Sequence, residues 1–178
     1  MANMFHWLNP PAREAKSFEV ITRKFGEMMD DGRHTFDAAS NALLGGTDPE
    51  VIREDLFTTD QRINRTEQEI RRQLVIHGAV HGSIGFPGLL ILMSLVKDAE
   101  RIGDYNKNLF DRAASGPGVL LQAEHKQLVG LKDRISKLLV RTRNVYASQD
   151  ANSARGCLAD ADKIEDECDA AVKRLLQL

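Results

Sequence analysis

Surplus charge, cysteine and long hydrophobic runs are what this chain most lacks, and each shortage closes off a class of protein. Lys and Arg number 24 against 26 Asp and Glu, a formal net charge of -2, with the two signs mixed along the chain. Neutralising nucleic-acid phosphates needs clustered bases, so no nucleic-acid partner is expected. The two cysteines, Cys157 and Cys168, fall on one face of one helical stretch, roughly 16 Å apart along the axis at about 1.5 Å per residue. They cannot bridge each other there. Free thiols without a disulfide framework point to a reducing, cytoplasmic setting. The longest apolar run, Leu89 to Val96, stays short of the ~20 residues of a spanning helix even with Ile84 to Pro87 added. It is expected to be a helix buried inside a bundle. Met1 to Asn9 lacks the apolar region of a secretory leader, and its Phe5, Trp7 and Leu8 are expected to act as a lid on the bundle. No segment alternates apolar and polar residues for long, so strands are not expected.

What is present is helical periodicity. Pro10-Pro11 precedes a long segment, about Ala12 to Leu44, with Phe18, Ile21, Phe25, Met28, Met29, Phe36, Ala39 and Leu43 at spacings that put them on one face. Gly45-Gly46 ends it as a C-cap. Thr47 with Glu50 then forms a capping box, with Pro49 in the first turn of a second helix running to about His77. Gly78 to Gly88, rich in glycine, is expected to be a loop. A third helix covers about Leu89 to Ala113, a fourth about Val119 to Ala147 and a fifth about Ala151 to Leu176, with Ser115-Gly116-Pro117-Gly118 as the break between the third and fourth. One register shift carries Asp48 onto Asp150, Phe36 onto Leu138, Leu56 onto Leu158, Ile70 onto Val172 and Leu74 onto Leu176. The same shift carries Asp60 onto Asp162, Asn64 onto Asp166 and Glu67 onto Asp169, and leaves Ile63 facing Glu165 as a mismatch. This is an internal repeat over two helices and their turn.

Acidic stripes stand out on that helical frame. At about 100° per residue, positions i, i+4 and i+7 share one face. Asp60, Asn64 and Glu67 do so on the second helix, Glu100 and Asp104 on the third with Asp111 extending the line, and Asp162, Asp166 and Asp169 on the fifth; Glu27, Asp31 and His34 form a weaker set on the first. Arg62, Arg65 and Arg101 point away, so these helices are expected to offer their stripes no neutralising base. Grouped carboxylates repel one another unless a cation stands among them, and oxygen-rich sets suit hard or borderline metal ions. An acidic face is otherwise simply a solvated one. Gly103, between Glu100 and Asp104, suits a close helix approach.

The string Asp98-Ala99-Glu100-Arg101-Ile102-Gly103-Asp104-Tyr105, preceded by Asp60-x-x-Ile63-Asn64-x-x-Glu67, resembles the PhoU family of bacterial phosphate-signalling regulators. The likeness covers about residues 18 to 113 well and 125 to 176 in part. It implies an all-α, antiparallel helix bundle of about five helices: a tandem three-helix repeat, 12–114, followed by an incomplete one, 117–178. It further implies metal ions (Fe, Zn, Mn or Mg) held by Glu100 and Asp104 facing Asp60, Asn64 and Glu67. Asp162, Asp166 and Asp169 are the counterpart in the second repeat, without a partner helix. The implied partners are the phosphate transporter and its sensor kinase, with membrane contact only through them. Apolar surface left on the fourth and fifth helices is expected to be covered by docking on the first unit or by self-association, a dimer first.

Other constellations carry less. His77 and His81 have metal-binding spacing if helical, but the surrounding glycines favour ordinary loop histidines. The Glu-x-x-His pairs of ferritin-like oxidases are missing, as are a P-loop and a dinucleotide fingerprint. Met28, Met29 and Met93 read as packing. A regulatory protein, not an enzyme, is therefore expected. The alternatives are an accessory regulator of another ion or phosphate carrier and a carboxylate-bridged metalloenzyme.

Overall fold

The computed structural model describes residues 15–81, 86–116 and 122–176. Among them it shows five helices and no strand: α1 Ala15–Leu44, α2 Pro49–His81, α3 Phe86–Ala114, α4 Gln122–Ser148 and α5 Ala151–Leu175. The all-helical class is as expected. The chain divides into two compact units between Pro117 and Gly118. In the first, α1, α2 and α3 each pack against the other two; in the second, α4 packs against α5. Phe5, Trp7 and Leu8 lie outside the described residues.

The first unit is built on the apolar line seen in the sequence. Phe18, Ile21, Phe25, Met28, Phe36 and Ala39 of α1 are buried, opposite Leu56, Ile63, Ile70 and Leu74 of α2 and Leu92, Val96 and Phe110 of α3. Met29 and Met93 are half-buried. Gly46 takes a φ of 76°, the left-handed conformation that only glycine adopts without cost, and Gly45 N–H donates to the Asn41 carbonyl at 2.8 Å. That is the C-cap expected of the pair. The next helix start differs from expectation. Asp48, not Thr47, supplies the cap, its Oδ1 accepting from Glu50 N–H at 3.0 Å. The Glu50 carboxylate turns forward onto Arg53, at 2.6 and 2.9 Å, so no reciprocal capping box forms.

The expected loop from Gly78 to Gly88 is mostly helix. α2 continues to His81 and α3 begins at Phe86. Gly78 was read as a breaker, but it sits where the two helices cross: a Cβ there would stand 3.2 Å from Leu89 Cδ1. Glycine costs a helix interior about 1 kcal/mol against alanine; here close packing of Leu89 and Phe86 sets against that cost. Pro87 fits the first turn of α3, where no N–H is needed. His77 is buried, its ring 6.0 Å from that of Phe18, so it is a packing residue; the side chain of His81 lies outside what is described. The run from Leu89 to Val96 is buried on one side only. Leu89, Leu92 and Val96 face the core, while Leu90, Ile91 and Leu95 are exposed.

The second unit is a two-helix hairpin. Ala154, Cys157, Ile164 and Ala171 of α5 and Leu131 and Tyr146 of α4 are its buried apolar residues. Arg134 pairs with Glu167 and Arg141 with Asp160 across it. Asp150 caps α5, accepting from Ser153 N–H at 2.8 Å and Asn152 N–H at 3.4 Å. Both cysteines are free; Cys157 is buried with its Sγ 3.3 Å from Thr142 Oγ1. Burial, then the neighbouring carboxylates of Glu167 and Asp169, pushes the Cys168 thiol up, so it is no activated nucleophile.

Candidate functional site

The packing of α2 on α3 brings the first two acidic stripes together. Ile63 is fully buried at the contact, and Gly103 lies against it: a Cβ at Gly103 would meet Ile63 Cδ1 and Asp60 Oδ1, each at 3.4 Å. The glycine thus sits at a close approach, as its place in the motif suggested, though a methyl group would just fit. Asp60 and Glu67 are nearly closed to solvent, at 7% and 8% exposure. Asn64 Nδ2 donates to Asp60 Oδ2 at 3.3 Å.

Each acid on this face has a resident cation. Lys107 Nζ lies 2.8 Å from Asp104 Oδ1 and 3.1 Å from Asp60 Oδ2, bridging the two helices. The hydrogen bond to Asp104, and then that to Asp60, raises its pKa above the usual lysine value. Lys97 Nζ lies 2.6 Å from Glu100 Oε2; that bond raises its pKa, and the charges of Glu67 and Asp104 add to the effect. Arg71 Nη1 lies 2.8 Å from Glu67 Oε1. The expectation that these helices offer their stripes no neutralising base is therefore corrected. Arg62 does point away, to a bidentate pair with Asp31 of α1 at 2.7 Å, and Arg101 leans on Asp98. The bases that serve the stripes are Lys97, Lys107 and Arg71, each three or four residues from an acid of its own helix, Glu100, Asp104 and Glu67. That spacing is the ordinary rule for facing side chains on a helix, so the signal was available in the sequence.

The weaker set on α1 disperses. Glu27 pairs with Arg23, Asp31 with Arg62, and His34 Nε2 with Asp55 Oδ2 at 2.6 Å. Asp162, Asp166 and Asp169 are all exposed on α5, away from its buried line through Cys157 and Ile164. Among the described residues, no three His, Cys, Asp or Glu side chains converge as ligands for one ion. The donors of the first face are turned onto ammonium and guanidinium groups. As placed, they make ion pairs along each helix with one bridge, Lys107 to Asp60, between the two.

Residues 25–113 match the PhoU domain, a span that takes in most of α1, all of α2 and nearly all of α3, with both halves of the acidic face. Neither a curated protein nor a solved structure matches the chain. The match covers half of the sequence and includes the Glu-Arg-Ile-Gly-Asp element towards its C-terminal end: the chain belongs to the PhoU family of phosphate-related regulators.

Proposed function

We propose that the protein regulates phosphate uptake and phosphate-responsive signalling by docking its first helical unit on the phosphate transporter or its sensor kinase from the cytoplasmic side. The observation that carries this reading is the acidic face of α2 and α3. It lies within the matched domain, and the Lys107–Asp60 pair links its two helices while Asp104 stays half-exposed. Such a surface recognises a partner by charge complementarity. A metalloenzyme reading would need several ligands converging on one point, and among the described residues no three His, Cys, Asp or Glu side chains do so. No helix among them is long and apolar enough to cross a membrane, so membrane carriers are approached from outside the bilayer in this reading.

Iron, zinc, manganese or magnesium at Asp60, Asn64, Glu67, Glu100 and Asp104 enters the proposal only as a competitor of Lys107, Lys97 and Arg71, which pair with the four carboxylates. Self-association, a dimer first, is part of the same proposal and is read from solution mass by light scattering. The test of the regulatory role is a phosphate-starvation reporter in a strain lacking the gene. The reporter is expected to lose its phosphate response, to regain it with the wild-type chain, and not with Glu100→Lys plus Asp104→Lys. An unchanged reporter in the deletion strain overturns the proposal. Co-purification of a different carrier moves the client while keeping the mode of action.

A further inference from the structure

The two helices of the second unit differ in charge. Bases outnumber acids on α4, and acids outnumber bases on α5. Three of the α4 bases, Arg134, Lys137 and Arg141, recur at i, i+3 and i+7, so they share one side of the helix. With Leu138 they line a groove of about 270 Å³ whose other wall is Asp160 and Ile164 of α5.

The groove is a ladder of three rungs with the middle one unmatched. Arg134 pairs with Glu167 and Arg141 with Asp160. Between antiparallel helices one number falls as the other rises, so the residue of α5 level with Lys137 is Ile164. Ile164 is buried and offers no charge. Among the described residues no acid pairs with Lys137, which is exposed. The nearest acid along its own helix, Asp133, is turned to Lys132 at 3.0 Å.

The flanking arginines keep donors to spare. Each meets its carboxylate through a single nitrogen, Nη1, whereas a guanidinium has five N–H donors. Gly156 presents no side chain to Arg141: even an added Cβ there would stand 3.6 Å from Nη2. Lys163 lies 3.7 Å from Asp160 Oδ1 and adds a further positive charge at that rung. Around the groove, then, Arg134, Lys137, Arg141 and Lys163 meet only Asp160 and Glu167. Surplus positive charge with unused N–H groups selects an anion. The volume falls just under the range of small-molecule pockets, about 300 to 1,000 Å³, so the anion is small. Its donors come from side chains spread over about 10 Å of helix. A tetrahedral oxyanion, with oxygens on every side, meets more of them at once than a planar carboxylate does.

We infer that the groove between α4 and α5 binds a small phosphate anion, either inorganic phosphate or the phosphate group of a monoester. Lys137 supplies the counter-charge, and the remaining N–H groups of Arg134 and Arg141 donate to its oxygens. This puts a ligand site on the second unit, apart from the acidic face of α2 and α3 on which the regulatory reading rests.

The full chain is titrated at one ionic strength with inorganic phosphate, phenyl phosphate and acetate, following heat and melting temperature. Phosphate is expected to bind and acetate is not. Binding of only one of the two phosphates supports the site and tells the free ion from an ester. Lys137→Gln weakens phosphate about tenfold, the loss of one charge-assisted hydrogen bond. Lys137→Arg, which keeps the charge, retains binding, and Lys173→Gln, on the far side of α5, leaves it unchanged. Lys137 takes part in no ion pair, so the unliganded variants melt as the parent does. Absence of binding by both phosphates at millimolar concentration overturns the inference, as does equal binding of acetate. So does an affinity that ignores Lys137→Gln, in which case the stem of the lysine merely covers Ile164. None of these readouts depends on phosphate signalling, so their failure leaves the regulatory proposal standing.

Discussion

Lys107 of α3 reaches Asp60 of α2 at 3.1 Å while holding Asp104 of its own helix at 2.8 Å. One ammonium thus does on this face what a bound cation would do: it lies between carboxylates from two helices and removes their repulsion. Because Asp60 is almost fully buried, the bridge matters more than a surface pair, though Lys107 itself remains partly solvated and screening trims its worth. Lys107→Met is expected to cost roughly 1 kcal/mol of stability and to leave Asp60 and Asp104 without their bridging counter-ion. Added manganese or zinc should then raise the melting temperature of the variant more than that of the parent. Equal shifts in the two proteins would show that Lys107 does not compete with metal.

Asn106 ties α3 to α1 as Lys107 ties it to α2. It is 2% exposed, and its Nδ2 donates to the Gly32 carbonyl at 2.9 Å and to Thr35 Oγ1 at 2.8 Å. Asn106→Ala removes both bonds and leaves a small void, an expected loss of about 2 kcal/mol by chemical denaturation. Combined with Thr35→Val, the losses should fall short of additive, because both changes break the same contact. Strict additivity would mean that the Asn106–Thr35 bond carries no energy of its own.

Much of this was legible before any coordinates. The line Phe18, Ile21, Phe25 and Met28 fixes the buried face of α1, and the spacing of Asp60, Asn64 and Glu67 fixes that acidic edge of α2. The bond between Lys107 and Asp60 was not legible, because it depends on how α3 is rotated against α2, and Ile63 packed on Gly103 sets that rotation. Gly78 misled for a related reason: composition cannot distinguish a glycine that breaks a helix from one that lets two helices touch. The repeat register carried local chemistry further than packing. Asp48 and Asp150, one register apart, both cap helices. Leu56 and Ile70 are buried, yet their counterparts Leu158 and Val172 are exposed, since α2 packs on both α1 and α3, whereas the buried side of α5 runs through Ala154, Cys157 and Ile164.

The cap at Asp150 makes stability depend on acid in a defined direction. Its hydrogen bonds with Ser153 hold the carboxyl below the usual carboxylate range. A depressed folded-state pKa contributes stability that is present above the unfolded value and is lost as pH falls through the folded one. Asp150→Ala should lower the melting temperature by a few degrees at neutral pH. The gap between parent and variant should close in strong acid, where the parent's cap is protonated too. A gap that stays constant with pH would show that the charge of Asp150 plays no part.

The stripe on α5 gives the sharpest contrast with the first face. Asp162, Asp166 and Asp169 are exposed, and no cation from the described residues is placed among them as Lys107 is among Asp60 and Asp104. If they are only a solvated face, changing all three to Asn removes like-charge repulsion and little else. The melting temperature should then stay within about two degrees of the parent, with any change upward. Asp60→Asn, by contrast, unmakes a bridge between helices and should lower it. The same two variants separate the metal sites implied by the family. Should manganese or zinc stabilise the parent, and the triple Asn change abolish that effect while Asp60→Asn leaves it intact, the cation is held on α5, and the lysine-bridged face of α2 and α3 serves contact alone.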